Sequence, residues 1–475
     1  MTDLTRREVL RAGMAGAAAL ALPQRLLAQS ATLPEPPLLA LDRSEPGLAI
    51  GNLVAEWTRT AVGNTTAWLR TYNGSFPGPT IRVREGERVR LSLTNRTGDA
   101  TNLHTHGLHV DPAIDDPFLS IAPGDTWVYE FDVPSGAAGT HWYHPHVHGS
   151  VARQLFEGLA GALIVEGPLD STTRLRRIEE HVLVFKDLSL HNGTASPHTM
   201  FDWMNGKEGD LLLVNGVPDG QLVPRRGTLR LRLLNASNAR YYHLALEGHP
   251  LHLIATDGHF LGQPVELDAL LLAPGERADV LVQLAGRGSF RLLDLGYDRG
   301  SGHMMGGGHM MGNGPGSAAD APHPLLTIVA PARRRTVTLP SRLTTVDAVD
   351  TTRVAQRRRF VLGEAMMGRA FSINGRTFDH ERVDVRTRLD DVEIWEIVNG
   401  TGMDHPMHLH TYPFQVLSRN GTRESRTAWK DVVNVEAQGR VELALPLSDF
   451  GGKTVYHCHI VEHEDLGMMG VLEVA

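Results

Sequence analysis

Gly452-Lys453-Thr454-Val455-Tyr456-His457-Cys458-His459 has a near-copy far upstream, Gly139-Thr140-His141-Trp142-Tyr143-His144-Pro145-His146. Such self-similarity is the signature of a chain built from repeated units. Working outward, alternating strand patterns occur at Thr80 to Leu93, Thr228 to Leu233 and Val392 to Val398, and they reach Asn95, Asn235 and Asn399. Upstream of these asparagines stand Asn-Gly turns at Asn73-Gly74, Asn215-Gly216 and Asn374-Gly375. Each copy closes on a β-rich run, at Gly161 to Val165, Leu325 to Val329 and Gly470 to Val474. With 49 Gly, 27 Pro and little helical periodicity, this predicts an all-β protein of three Greek-key sandwiches or barrels. The expected domains are 43–168, 169–331 and 332–475.

Counting fixes how the copies differ. His104 lies nine positions after Asn95, and His408 nine after Asn399. The same step from Asn235 lands on Leu244, and Leu246 stands where the outer copies have His106 and His410. The first and third units therefore carry matching His-x-His pairs, and the middle one is apolar there. In a strand, residues two apart share a face, so each pair presents two imidazoles together. His104/His106, His144/His146, His408/His410 and His457/His459 supply eight such groups. Imidazole alone suits copper, zinc, iron or nickel.

Cys458 narrows the choice. A thiolate with two imidazoles and a distant thioether is a blue-copper set, and His405, Cys458, His463 and Met468 supply it. Because Cys458 sits between His457 and His459, its side chain is expected on the opposite strand face. One short peptide would then join two metal sites. Cys458 is the sole cysteine, so no disulfide framework exists.

Four motifs make this sequence resemble the multicopper oxidase family, in its three-domain bacterial laccase and cuprous oxidase branch: His104-Thr105-His106-Gly107, Trp142 to His146, His405 to His410, and His457 to Met468. The resemblance implies three cupredoxin-like β-barrels and four copper ions. It implies a type 1 copper on His405, Cys458, His463 and Met468, and a type 2 copper on His104 and His408. The type 3 pair would use His106, His144 and His459 for one ion and His146, His410 and His457 for the other. The family chemistry is one-electron oxidation of a small reducing substrate or metal ion at the type 1 site, coupled to reduction of dioxygen to water. Asp115 and Glu464 are by resemblance the proton relay, since water formation consumes protons. The remaining histidines, including His141 and His148, are read as structural or surface groups.

The other features frame this reading. Arg6-Arg7, the apolar stretch Ala12 to Leu22 and the small residues before Ala31 form a twin-arginine signal over residues 1–30, so export by that machinery to the periplasm or beyond is expected. The apolar stretch is too short to span a bilayer, so no stable membrane anchor is expected. A net charge of -8 gives no footprint for nucleic acid. A monomer is expected. A copper-sequestering resistance protein without turnover is the alternative, although storage does not require two joined sites. Nitrite reductase chemistry is disfavoured by the third domain and the eight paired histidines.

Substrate signals are weaker. Gly302 to Gly314 places Met304, Met305, Met310 and Met311 with His303 and His309 on a loop suited to Cu(I), although a plain linker explains it nearly as well. Met403 and Asp404 flank His405, where they are either electron-passing groups or ordinary neighbours of a ligand. Met366-Met367 reads as core. Deleting Met304 to Met311 is expected to lower turnover of Cu(I) selectively, and parallel kinetics on Cu(I) and a phenol check this.

Overall fold

The computed structural model describes residues 31–172, 175–300, 322–332, 335–365 and 370–475. Residues 1–30, expected to be a signal, the stretch with Met304, Met305, Met310 and Met311, and Met366-Met367 lie outside the described residues.

The three repeats fold alike because the same residues do the same work in each. In every copy one long strand pairs in parallel with the strand that reaches the repeated asparagine: Leu48–Val62 with Arg88–Arg96, Glu179–Leu188 with Thr228–Asn235, and Gln356–Glu364 with Val392–Asn399. The three Asn-Gly asparagines take positive φ, at 52°, 51° and 54° for Asn73, Asn215 and Asn374, a conformation that asparagine tolerates better than most residues. Their Oδ1 atoms accept from the N–H of Val54, Val184 and Val361, pinning each turn to the neighbouring long strand.

The strand-end asparagines are equally equivalent. Buried Asn95 donates through Nδ2 to the carbonyls of Asp99 and Ile121, Asn235 to those of Arg240 and Leu272, and Asn399 to those of Met403 and Val435. Each Oδ1 accepts from the N–H two residues on, at Thr97, Ser237 and Thr401. A buried irregular loop would leave these carbonyls unpaired, and one side chain per repeat satisfies them.

Each unit is a pair of facing sheets. The first has a six-stranded sheet built on Leu48–Val62 and a three-stranded one ordered Gly78–Arg84, Gly161–Glu166, Gly139–Tyr143. The second has sheets of six and five strands, and the third sheets of seven and five. In the third unit the strand Gly452–Cys458 lies between Met469–Val474 and His405–Leu409. Among the described residues helix is confined to short segments, including Val151–Phe156, Met200–Asn205 and Val461–Asp465. No described helix is long and apolar enough to cross a membrane.

Two local expectations change. Thr80 to Leu93 is two strands, Gly78–Arg84 and Arg88–Arg96, broken where Gly86 takes φ 75°. Thr228–Asn235 is buried on both faces, not one. Its polar face, Arg230 and Arg232, meets Asp279 instead of water, and Arg232 also donates to Thr140 of the first unit. Of the two, Arg232 therefore marks a contact between units.

Each unit has its own apolar core, and a further cluster joins Trp142, Leu155 and Ile164 of the first to Val184 and Leu234 of the second and Val461 of the third. The backbones approach closely there: a Cβ on Gly139 would lie 1.9 Å from the Gly258 carbonyl oxygen. Gly139→Ala is expected to cost about 1–3 kcal/mol, because backbone has to move to admit the methyl group. A lowered thermal or urea midpoint checks this.

Candidate metal centre

Two donor sets lie on opposite sides of one strand. Cys458 is the last residue of Gly452–Cys458, and the chain leaves it through His459 into the short helix Val461–Asp465. The Cys458 Sγ lies 3.4 Å from His405 Nδ1 and 3.9 Å from His463 Nδ1, and these two nitrogens are 3.3 Å apart. Thr401 Oγ1 bonds His405 Nε2 at 2.8 Å, which leaves Nδ1 for the sulfur side. Phe371 stacks on the His463 ring, and Met468 is fully buried.

Behind the strand, the eight paired histidines form one buried group drawn from the first and third units. His104 Nε2 lies 3.3 Å from His408 Nε2. His146 Nε2 and His410 Nε2 each lie 3.1 Å from His457 Nε2. His106 Nδ1 lies 3.4 Å from His144 Nε2, and the His459 ring is 5.0 and 5.6 Å from these two rings. Three groups within this cluster, His104/His408/His410, His104/His106/His144 and His146/His410/His457, have ligand atoms close enough for one ion each.

The second contacts of these rings fix their outward nitrogens. His104 Nδ1 lies 2.8 Å from Asp115 Oδ2, while Asp115 Oδ1 accepts from the Thr105 N–H. Glu464 is wholly buried, its oxygens 3.4 Å from His146 Nε2 and 3.2 Å from His457 Nδ1 without a properly aligned hydrogen bond. Both carboxylates read from the sequence thus border the histidine group. Asp404 does not open to solvent. Its carboxylate accepts from the Tyr297 hydroxyl, Asn434 Nδ2 and the Ala437 N–H, and Met403 is completely buried. His141 is buried with Nε2 on the Ala137 carbonyl, and His148 packs on Phe378.

Sequence reasoning missed Asp431 and Arg277. Asp431 Oδ1 lies 3.0 Å from His106 Nε2, and Arg277 holds the Asp431 carboxylate with two bonds of 2.7 and 2.5 Å. The Trp429-Lys430-Asp431 segment carries no spacing signal that ties it to a histidine far upstream.

The residues fit copper. Nitrogens facing one another at about hydrogen-bond distance cannot all donate, and both nitrogens of buried His459 lack a partner. Unpaired polar atoms in such a place are costly unless something else binds them. Burial drives the imidazoles towards the neutral form that ligates, holding His144 and His405 down at about 3. Burial also pushes the Cys458 thiol well above its ordinary range, so a thiolate there requires a cation beside it. Soft sulfur with imidazoles is a copper donor set.

The chain is similar to known proteins along most of its length. Multicopper oxidase family profiles match residues 54–170, 183–296 and 351–475. Multicopper oxidase mco of Staphylococcus aureus is 30% identical over 412 residues, covering 85% of this chain and 83% of the relative. Cell division protein FtsP of Dickeya dadantii is 33% identical over 485 residues, covering 99% and 98%. Among solved structures, a Campylobacter jejuni multicopper oxidase described as a metallo-oxidase superposes with a TM-score of 0.85 at 30% identity, covering 94% of this chain and 95% of that one. A laccase-like multicopper oxidase of Ochrobactrum sp., described as active on lignin model compounds, gives 0.82 at 30% identity, covering 93% and 100%. The chain belongs to the multicopper oxidase family, with three cupredoxin-like domains.

The depressed histidines have a consequence for the metal-free protein. Unfolded histidines take up protons near 6.5 while the buried ones do not, so acid favours unfolding. Stability is complete above that value and declines as pH falls towards about 3. The urea midpoint of copper-free protein is expected to start falling between about pH 6.5 and 5, above the carboxylate range. A flat midpoint across that window would contradict the assignment.

Proposed function

We propose that this protein is an exported copper-dependent oxidase that takes single electrons from a small reducing substrate and delivers them to dioxygen. The observation that carries the reading is the strand at Cys458. Its sulfur belongs to the donor set with His405 and His463, while flanking His457 joins the other set and the flanking His459 ring lies 5.0 Å from that of His106. In this reading Met468 completes the first set, His104 and His408 hold a type 2 ion, and the remaining six histidines hold a type 3 pair. Bound copper would supply one-electron acceptance on the sulfur side and reduction of dioxygen to water, with four electrons and four protons, on the histidine side.

The chain provides the path, the enclosure and the protons. The backbone from Cys458 to His457 and His459 gives the shortest covalent connection between the sets. Burial of all eight imidazoles excludes bulk water from the reaction space. In this reading Glu464, with both oxygens free of hydrogen bonds, carries protons into the space between His146 and His457. Asp115 Oδ2, beside His104 Nδ1 and 3.7 Å from His410 Nδ1, would hold one on the other side. The twin-arginine pattern at Arg6-Arg7 supports export to the periplasm or beyond.

Phenols, aromatic amines and Cu(I) are the substrate classes proposed. The near-complete coverage by FtsP favours a second reading, a role in cell division without turnover, while copper retention without turnover is the alternative drawn from the sequence. Complete donor sets support the oxidase. Dioxygen uptake by copper-loaded protein offered Cu(I), Fe(II) and a phenol separates the two. Turnover and a blue colour are expected, with both lost in Cys458→Ser. A blue, active serine variant, or a wild type that loads copper and consumes no dioxygen, overturns the oxidase reading.

A further inference from the structure

The middle domain supplies no paired histidine, yet its loops press on the histidine group. Gly275 takes φ 82°, and a Cβ there would lie 2.8 Å from His459 Cδ2. Two residues on, wholly buried Arg277 reaches all three domains. Its Nε donates to the Thr140 carbonyl of the first, Nη1 to the Gly275 carbonyl of its own, and Nη1 and Nη2 to Asp431 of the third. Gly107, at φ 92°, leaves room for this contact, because a Cβ would fall on Arg277 Nη2 and 2.7 Å from Asp431 Oδ2. Asp431 then touches two rings. Its Oδ1 faces His106 Nε2 at 3.0 Å, and its backbone carbonyl faces His408 Nδ1 at 2.8 Å.

A neutral imidazole has one N–H, and the acceptor it meets decides which nitrogen keeps a free lone pair. His104, His144, His408 and His457 all direct Nδ1 at an oxygen, on Asp115, Pro145, Asp431 and Cys458 respectively. Their Nε2 atoms therefore face inward. His106 is reversed, with Nε2 on Asp431 and Nδ1 turned towards His144 Nε2.

We infer that Arg277 and Asp431 are positioning residues which fix His106 as an Nδ1 ligand, so that the domain without ligands sets the geometry of a cluster held by the other two. The inference rests on reading His106 and His408 as cluster ligands. Arg277 supplies a planar fork that holds the carboxylate in one orientation, which a lysine ammonium does not reproduce. Neither His405 nor His463 contacts this clamp, so its loss acts on the histidine side alone.

Nitrogen NMR of ¹⁵N-histidine protein loaded anaerobically with Cu(I), which is diamagnetic, reports which ring nitrogen carries the proton. His106 is expected to show Nε2–H, and His104, His144, His408 and His457 Nδ1–H. A proton on His106 Nδ1 overturns the inference. In Arg277→Lys and Asp431→Asn, cluster copper affinity is expected to fall about ten- to a hundredfold, with an altered type 2 paramagnetic resonance spectrum and an unchanged blue band. Wild-type affinity and spectra in both variants would overturn it as well. Should a variant fail to fold, the wild-type proton positions decide. If the wild type binds no copper, the oxidase reading falls, and Nε2–H on His106 of the metal-free protein still supports the clamp.

Discussion

Side chains alternate along an extended strand, and the rest of this molecule is arranged around that constraint. At His457-Cys458-His459 the alternation sends sulfur one way and two imidazoles the other. The sulfur side closes within the third domain, on His405 and His463. The imidazole side faces away from that domain's core and needs partners from elsewhere. The first domain provides them at the same register, which is why two copies of one fold meet back to back at this strand.

That meeting brings many polar groups into a dry interior. Ten imidazoles, a thiol and several carboxylates are buried in two groups on either side of one strand. Left to themselves, the imidazoles avoid charge and the thiol keeps its proton. A cation reverses the balance at the sulfur and gives the facing nitrogens a common partner. The apolar cluster around Trp142, and the Thr140 hydroxyl that donates to Asp279 and accepts from Arg232, tie the domains together around this interior.

The fold was legible wherever local chemistry repeats. Asn73, Asn215 and Asn374 could be read as turns, and Asn95, Asn235 and Asn399 as equivalent landmarks, because each acts on backbone close to it in the three-dimensional repeat. The histidine pairs were legible through their two-residue spacing. What escaped was whatever depends on contacts between domains. Arg232 was not singled out, because alternation cannot tell water from a hydroxyl of another domain. Asp431 is 325 residues from His106 and 154 from Arg277, with no periodicity linking the three. The break at Gly86 was missed because a glycine turn inside an alternating run leaves the hydrophobic pattern intact on both sides.

Val461 opens the short helix that carries His463, and it is buried among residues of the first and second domains. That contact ties the sulfur-side donor set to domains that supply none of its ligands. The helix has five residues, far too few to persist alone, so it takes shape only against partners that have already folded. A small zinc module carries all its supports in one short segment, whereas here the helix that presents His463 leans on residues of two other domains. The donor set at Cys458 is therefore a property of the docked domains and not of the third domain alone.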